Sequence, residues 1–298
     1  MKIFVYISML FLVLTTSVAS YAQSSNNHVI KALDFYKAKD YKQAKIWIDS
    51  ALYSNQVNDD RTWMLRGLIY RGLSYDENPN YRITALESFN KSKTLTTNAG
   101  VQKQANSAIY NTNIMTYNES IQLLKAGKLN KSESRYQVYK AQFLKYYDAT
   151  YNFDETDIFY YNALGSAWQT NNNYAAIEDQ LKQLNTAVEK FEKTLAIDKD
   201  NYSANYGIGS AYFNQGASLI ESLKETADLQ TIATVQEVAL KLFKNGLPYL
   251  LKAHELEPEN MEVIRGLRDI YRSMYDDEKF KHYSELLEKL RNDSKSNN

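Results

Sequence analysis

Apolar residues recur every three or four positions along most of this chain, which is the spacing of one face of an α-helix. The clearest stripe has intervals of 4, 3, 4, 3 and 4 residues. It consists of Ile177, Leu181, Leu184, Val188, Phe191 and Leu195. The alternation typical of strands is not sustained anywhere, and the 298 residues include only 3 Pro and 10 Gly. The sequence therefore predicts an all-α fold.

Short polar breaks divide the chain into helices at a nearly regular interval. We predict these breaks from clusters of Asn, Asp, Gly, Pro and Lys between the apolar stripes. They lie at residues 39–40, 76–80, 127–128, 171–173, 198–201 and 257–260. A regular interval between helices is the usual sign of an internal repeat.

One pattern of large and small residues occurs several times along these helices. Its clearest copies are Trp63-x-x-Arg66-Gly67-x-x-Tyr70 followed by Ala85-x-x-x-Phe89, Tyr161-x-x-Leu164-Gly165-x-x-Trp168 followed by Ala187-x-x-x-Phe191, and Ile208-Gly209-x-x-Tyr212 followed by Ala253 and Pro258. The small residue would let the two helices of a hairpin approach closely. The large residues would fill the space toward the next hairpin, and the proline would end the second helix.

This pattern resembles the tetratricopeptide repeat (TPR). The resemblance implies a right-handed superhelical array of antiparallel helix hairpins, a TPR-like α-solenoid. We expect about six helix pairs over residues 23–291 and a disordered tail over residues 292–298. The small residues of a pair are 18 residues apart for Gly67 and Ala85 and 37 apart for Gly209 and Gly246, against about twelve in the standard repeat. Several helices should therefore be extended; the alternative is an ordinary helical bundle.

In the resembled family the first helix of each pair lines a groove that holds a partner. Carried onto this sequence, that rule selects Arg61, Met64, Arg71, Phe159, Asn162, Gln169, Ser203, Tyr206, Phe213 and Asn214. The mixture of aromatic, amide and arginine side chains suits recognition of a peptide. The alternative for each residue is ordinary exposure or packing between repeats.

Catalytic and metal-binding patterns are not found in the sequence. The chain has no Cys, which removes thiolate catalysis and Cys-ligated metals. His254-Glu255 begins like a zinc-protease motif, but Pro258 stands where the second His is needed. The acidic group Asp154, Glu155 and Asp157 is interpreted as the capped first turn of a helix. We expect no enzyme, no metal and no cofactor.

The N-terminus is typical of a secretory signal peptide over residues 1–22. Lys2 precedes an apolar stretch over residues 3–14, and Ser20 and Ala22 supply small residues for cleavage after Ala22. We therefore expect an exported protein. The periplasm is the expected location, and secretion is the alternative. Because the sequence has no Cys, we expect no lipid anchor, and after cleavage we expect no stable membrane insertion.

The charge balance argues against nucleic-acid partners, since 35 Lys and Arg are matched by 35 Asp and Glu. Our hypothesis is a non-catalytic exported TPR scaffold that binds protein or peptide partners in the cell envelope. The alternative is a glycan or small-molecule binding protein that uses a helical groove rich in tyrosine, of which the chain has 25.

Overall fold

The computed structural model describes residues 27–76, 78–170 and 177–296, and these residues contain twelve α-helices. Their bounds are α1 His28–Lys37, α2 Tyr41–Ala51, α3 Asp60–Asp76, α4 Tyr81–Leu95, α5 Ala99–Lys125, α6 Leu129–Tyr146, α7 Asp154–Thr170, α8 Ile177–Leu195, α9 Tyr202–Glu221, α10 Leu229–Leu256, α11 Met261–Ser273 and α12 Asp277–Ser296. A 3-10 helix, Asn55–Asn58, precedes α3. In these ranges no strand occurs, so the predicted all-α fold is confirmed.

The chain divides into two compact units, where the sequence predicts one repeat domain. Among the described residues, those up to Met115 together with Ala141–Ala149 form unit 1. Unit 2 comprises Thr116–Lys140 and the described residues from Thr150 onward. The division passes through α5 and α6, so each of these two helices contributes residues to both units.

Capping side chains explain where several helices begin. The Asp40 carboxylate accepts a hydrogen bond from the backbone N–H of Gln43 at 3.0 Å and starts α2. Asn201 caps α9 in the same way, and Asn260 caps α11. Gly127, at φ 69°, ends α5 in the left-handed region that glycine tolerates best. The predicted breaks at 39–40, 127–128, 198–201 and 257–260 are confirmed, as is the 78–80 part of the break predicted at 76–80. Glu77 and the predicted break at 171–173 lie outside the described residues.

The repeated glycine of the motif allows a phenylalanine of the second helix to touch the backbone of the first. In unit 1, a Cβ atom at Gly67 would lie 2.3 Å from the Phe89 ring. In unit 2, a Cβ at Gly165 would lie 2.9 Å from the Phe191 ring, and one at Gly207 would lie 2.5 Å from it. Side chains larger than hydrogen would overlap these buried rings. The predicted role of the small residue in close helix approach is confirmed.

Within each unit the helices pack in the order expected for consecutive hairpins. In unit 2, α7 pairs with α8, α9 with α10 and α11 with α12, and the first helices α7, α9 and α11 also touch their neighbours. In unit 1, α1 pairs with α2 and α3 with α4. Helix α9 has 20 residues and α10 has 28, which confirms the prediction of extended helices.

The C-terminal end differs from the expected disordered tail over residues 292–298. Helix α12 continues to Ser296, so residues 292–296 are helical; Asn297 and Asn298 lie outside the described residues. The segment is polar but contains neither Pro nor Gly. Polarity alone does not end a helix when its backbone bonds are made internally.

Candidate partner-binding face

Two predicted partner-binding residues join the first helices of successive hairpins in unit 2. The side-chain amide of Asn162 on α7 donates a hydrogen bond to the Asn201 side chain at the start of α9, at 3.1 Å. The amide of Gln169 donates to the Ser210 hydroxyl on α9, also at 3.1 Å. Asn162 and Gln169 thus hold α7 beside α9, which is the inter-repeat packing that the sequence left as an alternative.

Two further predicted residues pack against the buried cluster formed by α10, α11 and α12. The Tyr206 ring stacks on Tyr202 with centroids 5.9 Å apart and planes 4° apart. The Phe213 ring lies 5.7 Å from Phe243. Burial, with a contribution from Glu262, raises the pKa of Tyr206. Each ring keeps only part of its surface accessible to a partner.

The remaining unit 2 candidates are exposed and lie on matching stripes of α7 and α9. We define the α7–α9 face as Phe159, Ser166 and Thr170 of α7 with Ser203, Ser210 and Asn214 of α9. Along each helix these positions are separated by 7 and then 4 residues, which places them on one helical side. The Asn162 and Gln169 bonds fix the two stripes next to each other. None of the six side chains is charged, and Phe159 is 62% exposed.

The three predicted residues of unit 1 all lie on α3, and each of them contacts a nearby group. Arg61 is exposed and forms an ion pair with Asp59 at 3.8 Å. Met64 packs against the core cluster that contains Phe89. The Arg71 guanidinium lies 5.7 Å from the centroid of the same ring. Of the three, Arg61 is the most accessible.

The arginine of the first motif copy has a structural role that the sequence did not indicate. Arg66 on α3 forms an ion pair with Asp49 of α2 at 3.0 Å and donates to the Ser88 hydroxyl of α4 at 2.8 Å. The Tyr70 hydroxyl donates to the other oxygen of Asp49 at 2.7 Å. This motif position therefore connects three consecutive helices of unit 1.

A buried polar network in unit 2 corrects the interpretation of Asp157 as part of a helix cap. Asp157 is 9% exposed, accepts a 2.6 Å hydrogen bond from the Tyr136 hydroxyl and pairs with Lys140. The Tyr136 ring stacks on Tyr160 with centroids 3.8 Å apart, and the Tyr160 hydroxyl is bonded to Ser132. Burial and the Asp157 carboxylate raise the pKa of Tyr136. Asp157 therefore joins α6 to α7.

The described residues offer no group of three or more His, Cys, Asp or Glu side chains placed to hold a metal ion. His254 packs edge-on against Tyr283, with ring centroids 5.6 Å apart, and burial lowers its pKa. Among the residues that the structure describes, no helix is long and apolar enough to cross a membrane.

No family model and no curated protein matches the chain. A similar solved structure is a TPR repeats protein from Bacteroides fragilis, with 17% sequence identity and a TM-score of 0.43. The match covers 83% of this chain and 97% of that chain. The assignment of fold rests on the contacts within this chain, above all those of Gly67 with Phe89 and of Gly165 and Gly207 with Phe191. By these contacts, each unit is built of helix hairpins in which a buried phenylalanine packs against a glycine of a neighbouring helix.

Proposed function

We propose that this protein is a non-catalytic scaffold that binds a peptide segment of a protein partner on the α7–α9 face. The observation that carries the proposal is the Phe159 side chain, which is 62% exposed on a first-helix surface. Burying a phenylalanine in an interface contributes about 1.5–3 kcal/mol, and aromatic anchors commonly dominate peptide binding. The hydroxyls of Ser166 and Ser203 and the Asn214 amide can bond the backbone of a bound segment.

A photo-crosslinking amino acid placed on the α7–α9 face should capture the partner in the protein's own cells. We expect one and the same protein to be linked from position 159 and from position 214. The matched control is position 229, because Leu229 is also an exposed apolar residue of unit 2 but lies at the start of α10. Equal capture from all three positions, or none from 159 and 214, would contradict the proposal.

Replacing Phe159 with Ala should weaken binding of the captured partner by at least about tenfold, since a central aromatic contact contributes more than about 1.4 kcal/mol. The melting temperature should stay the same, because the ring is mostly in solvent. Binding is measured by fluorescence anisotropy with a labelled peptide from the crosslinked segment. Leu229→Ala should leave affinity unchanged; a similar loss in both variants would count against the assigned face.

We also propose that the chain is exported and cleaved after Ala22, on the strength of its apolar N-terminal stretch and small residues at the cleavage positions. Mass spectrometry of the protein from fractionated cells should show a mature N-terminus at Gln23 in the envelope or medium. A bulky residue in Ala22→Trp should make the precursor accumulate. Recovery of the full-length chain from the cytosolic fraction would overturn this proposal.

A further inference from the structure

A cleft of about 540 Å³ lies on unit 1 along the first half of α5. It is within the range of small-molecule sites, roughly 300–1,000 Å³. Its α5 residues follow one helical stripe, and Tyr147, directly after α6, closes the cleft from the other side. The long polar and aromatic side chains that line it are Gln102, Lys103, Asn106, Tyr110, Asn111 and Tyr147. None of the ten predicted partner-binding residues lines this cleft.

The opposite side of α5 is fixed in the core of unit 1. Ala105, Ala108, Ile109 and Thr112 are all buried, and Ala108 and Ile109 belong to the cluster that includes Phe89. Because the two stripes are on opposite sides of one rigid helix, burial of the first holds the second toward the cleft. The side chains that line the cleft are therefore presented on a preformed surface.

Two tyrosine rings form an aromatic wall in this cleft. The centroids of Tyr110 and Tyr147 are 5.3 Å apart with planes inclined by 50°, and the residues are 42% and 40% exposed. Both rest on the buried Phe143 ring, at 6.2 Å and 4.8 Å. A rigid, half-exposed ring offers an apolar face next to a polar hydroxyl. Such a ring can cover the C–H face of a sugar and bond its hydroxyl groups.

Five of the seven polar side chains that line the cleft are not used within the protein; Gln102 and Ser107 each donate one hydrogen bond to a backbone carbonyl. In the described residues, the amides of Asn106 and Asn111, the Lys103 ammonium and the two tyrosine hydroxyls make no intramolecular hydrogen bond or ion pair. The Gln102 amide donates to the Thr96 carbonyl at 3.0 Å, which keeps that side chain in place. No carboxylate lines the cleft. It therefore offers many donors and acceptors, little apolar depth, and a single charge, the positive charge of Lys103.

We propose that this cleft binds an uncharged oligosaccharide, with pyranose rings packed on Tyr110 and Tyr147 and sugar hydroxyl or acetamido groups bonded by Asn106, Asn111 and Lys103. The alternating apolar and hydroxyl-rich faces of a sugar match the combination of aromatic rings and unpaired amides. A peptide side chain would find no apolar pocket here. The cleft is in unit 1, whereas the proposed peptide-binding face is in unit 2. Either proposal can therefore be wrong without affecting the other.

Saturation-transfer NMR on the full chain tests this site with maltotriose, cellotriose, chitotriose and xylotriose, each at about 5 mM so that affinities near 1 mM are detected. We expect transfer to the ring protons of at least one trisaccharide. Tyr110→Ala and Asn106→Ala should each weaken that binding by about tenfold or more. Tyr53→Ala, which removes an exposed tyrosine outside the cleft, should not change it.

Asn106→Ala keeps the test valid if the loss of the Tyr110 ring disturbs folding, because Asn106 makes no internal bond that its loss would break. Melting curves establish that each variant is folded. The proposal is overturned if no trisaccharide gives transfer, if Asn106→Ala binds as well as the natural chain, or if trialanine binds as strongly as the sugars. Loss of binding in the cleft variants alone supports it.

Discussion

Replacing Phe191 with Ala is expected to lower the free energy of unfolding by about 3–5 kcal/mol. The ring is 1% exposed and lies against the backbones of Gly165 in α7 and Gly207 in α9. Because neither glycine has a side chain that could move into the space, the cavity left by the ring cannot be refilled by a change of rotamer. Urea denaturation of the full chain, followed by far-UV circular dichroism, measures the change.

The matched control for Phe191 is Ile177→Ala, which removes an exposed apolar side chain from the same helix, α8. It should change the free energy of unfolding by less than about 0.5 kcal/mol. Gly207→Ala gives a second test of the same contact: alanine raises helix propensity by about 1 kcal/mol, but its Cβ would lie 2.5 Å from the Phe191 ring. Net destabilisation of about 1–3 kcal/mol is therefore expected. A stabilised Gly207→Ala variant would show that the ring is not held as tightly as described.

The fold was predictable because its main contacts are encoded locally. The stripe from Ile177 to Leu195 identifies α8 by its spacing alone, and the small residues Gly67 and Gly165 mark where a neighbouring helix comes close. In both cases the signal is a short pattern within one helix. The physical requirement, a residue without a side chain facing a buried ring, is strict enough to be recognised without knowing the partner helix.

The candidate site was harder to predict because exposure depends on what the next hairpin covers. The sequence predicts both Asn162 and Phe159 as groove positions. In the structure, Asn162 donates a hydrogen bond to Asn201, 39 residues later, whereas Phe159 is 62% exposed. The cleft along α5 depends on Tyr147, which lies 37 residues after Tyr110. Helical periodicity predicts on which side of its own helix a residue lies. It does not predict which of the residues on that side will be covered by a helix that lies far away in the sequence.

Asp157 shows the same limit for a buried charge. Its place among acidic residues at the start of α7 is the ordinary pattern of a first helical turn, and Asp154 and Glu155 are indeed exposed there. What distinguishes Asp157 is its pair of partners on α6, Tyr136 and Lys140, which are 21 and 17 residues away. Nothing in the spacing of the acidic residues points to either.

Replacing Asp157 with Ala is expected to lower the free energy of unfolding by about 2–4 kcal/mol, the range for removing one member of a buried ion pair with some solvent access to the other. The loss arises because the Lys140 ammonium and the Tyr136 hydroxyl would remain at the α6–α7 contact without their acceptor. The control is Asp154→Ala, which removes an exposed carboxylate from the same first turn and should cost about 0.5 kcal/mol.

A double-mutant cycle with Lys140→Met separates the ion pair from the helix-dipole contribution of Asp157. If the pair is the cause, Asp157→Ala should cost less in the Lys140→Met background, by about 1 kcal/mol or more. A dipole effect would give the same cost in both backgrounds, because it does not depend on Lys140. If Asp154→Ala and Asp157→Ala lower the free energy of unfolding equally, with no coupling to Lys140, then Asp157 acts only as an ordinary residue of the first helical turn. The predicted difference would instead establish it as the acceptor that fixes α7 against α6.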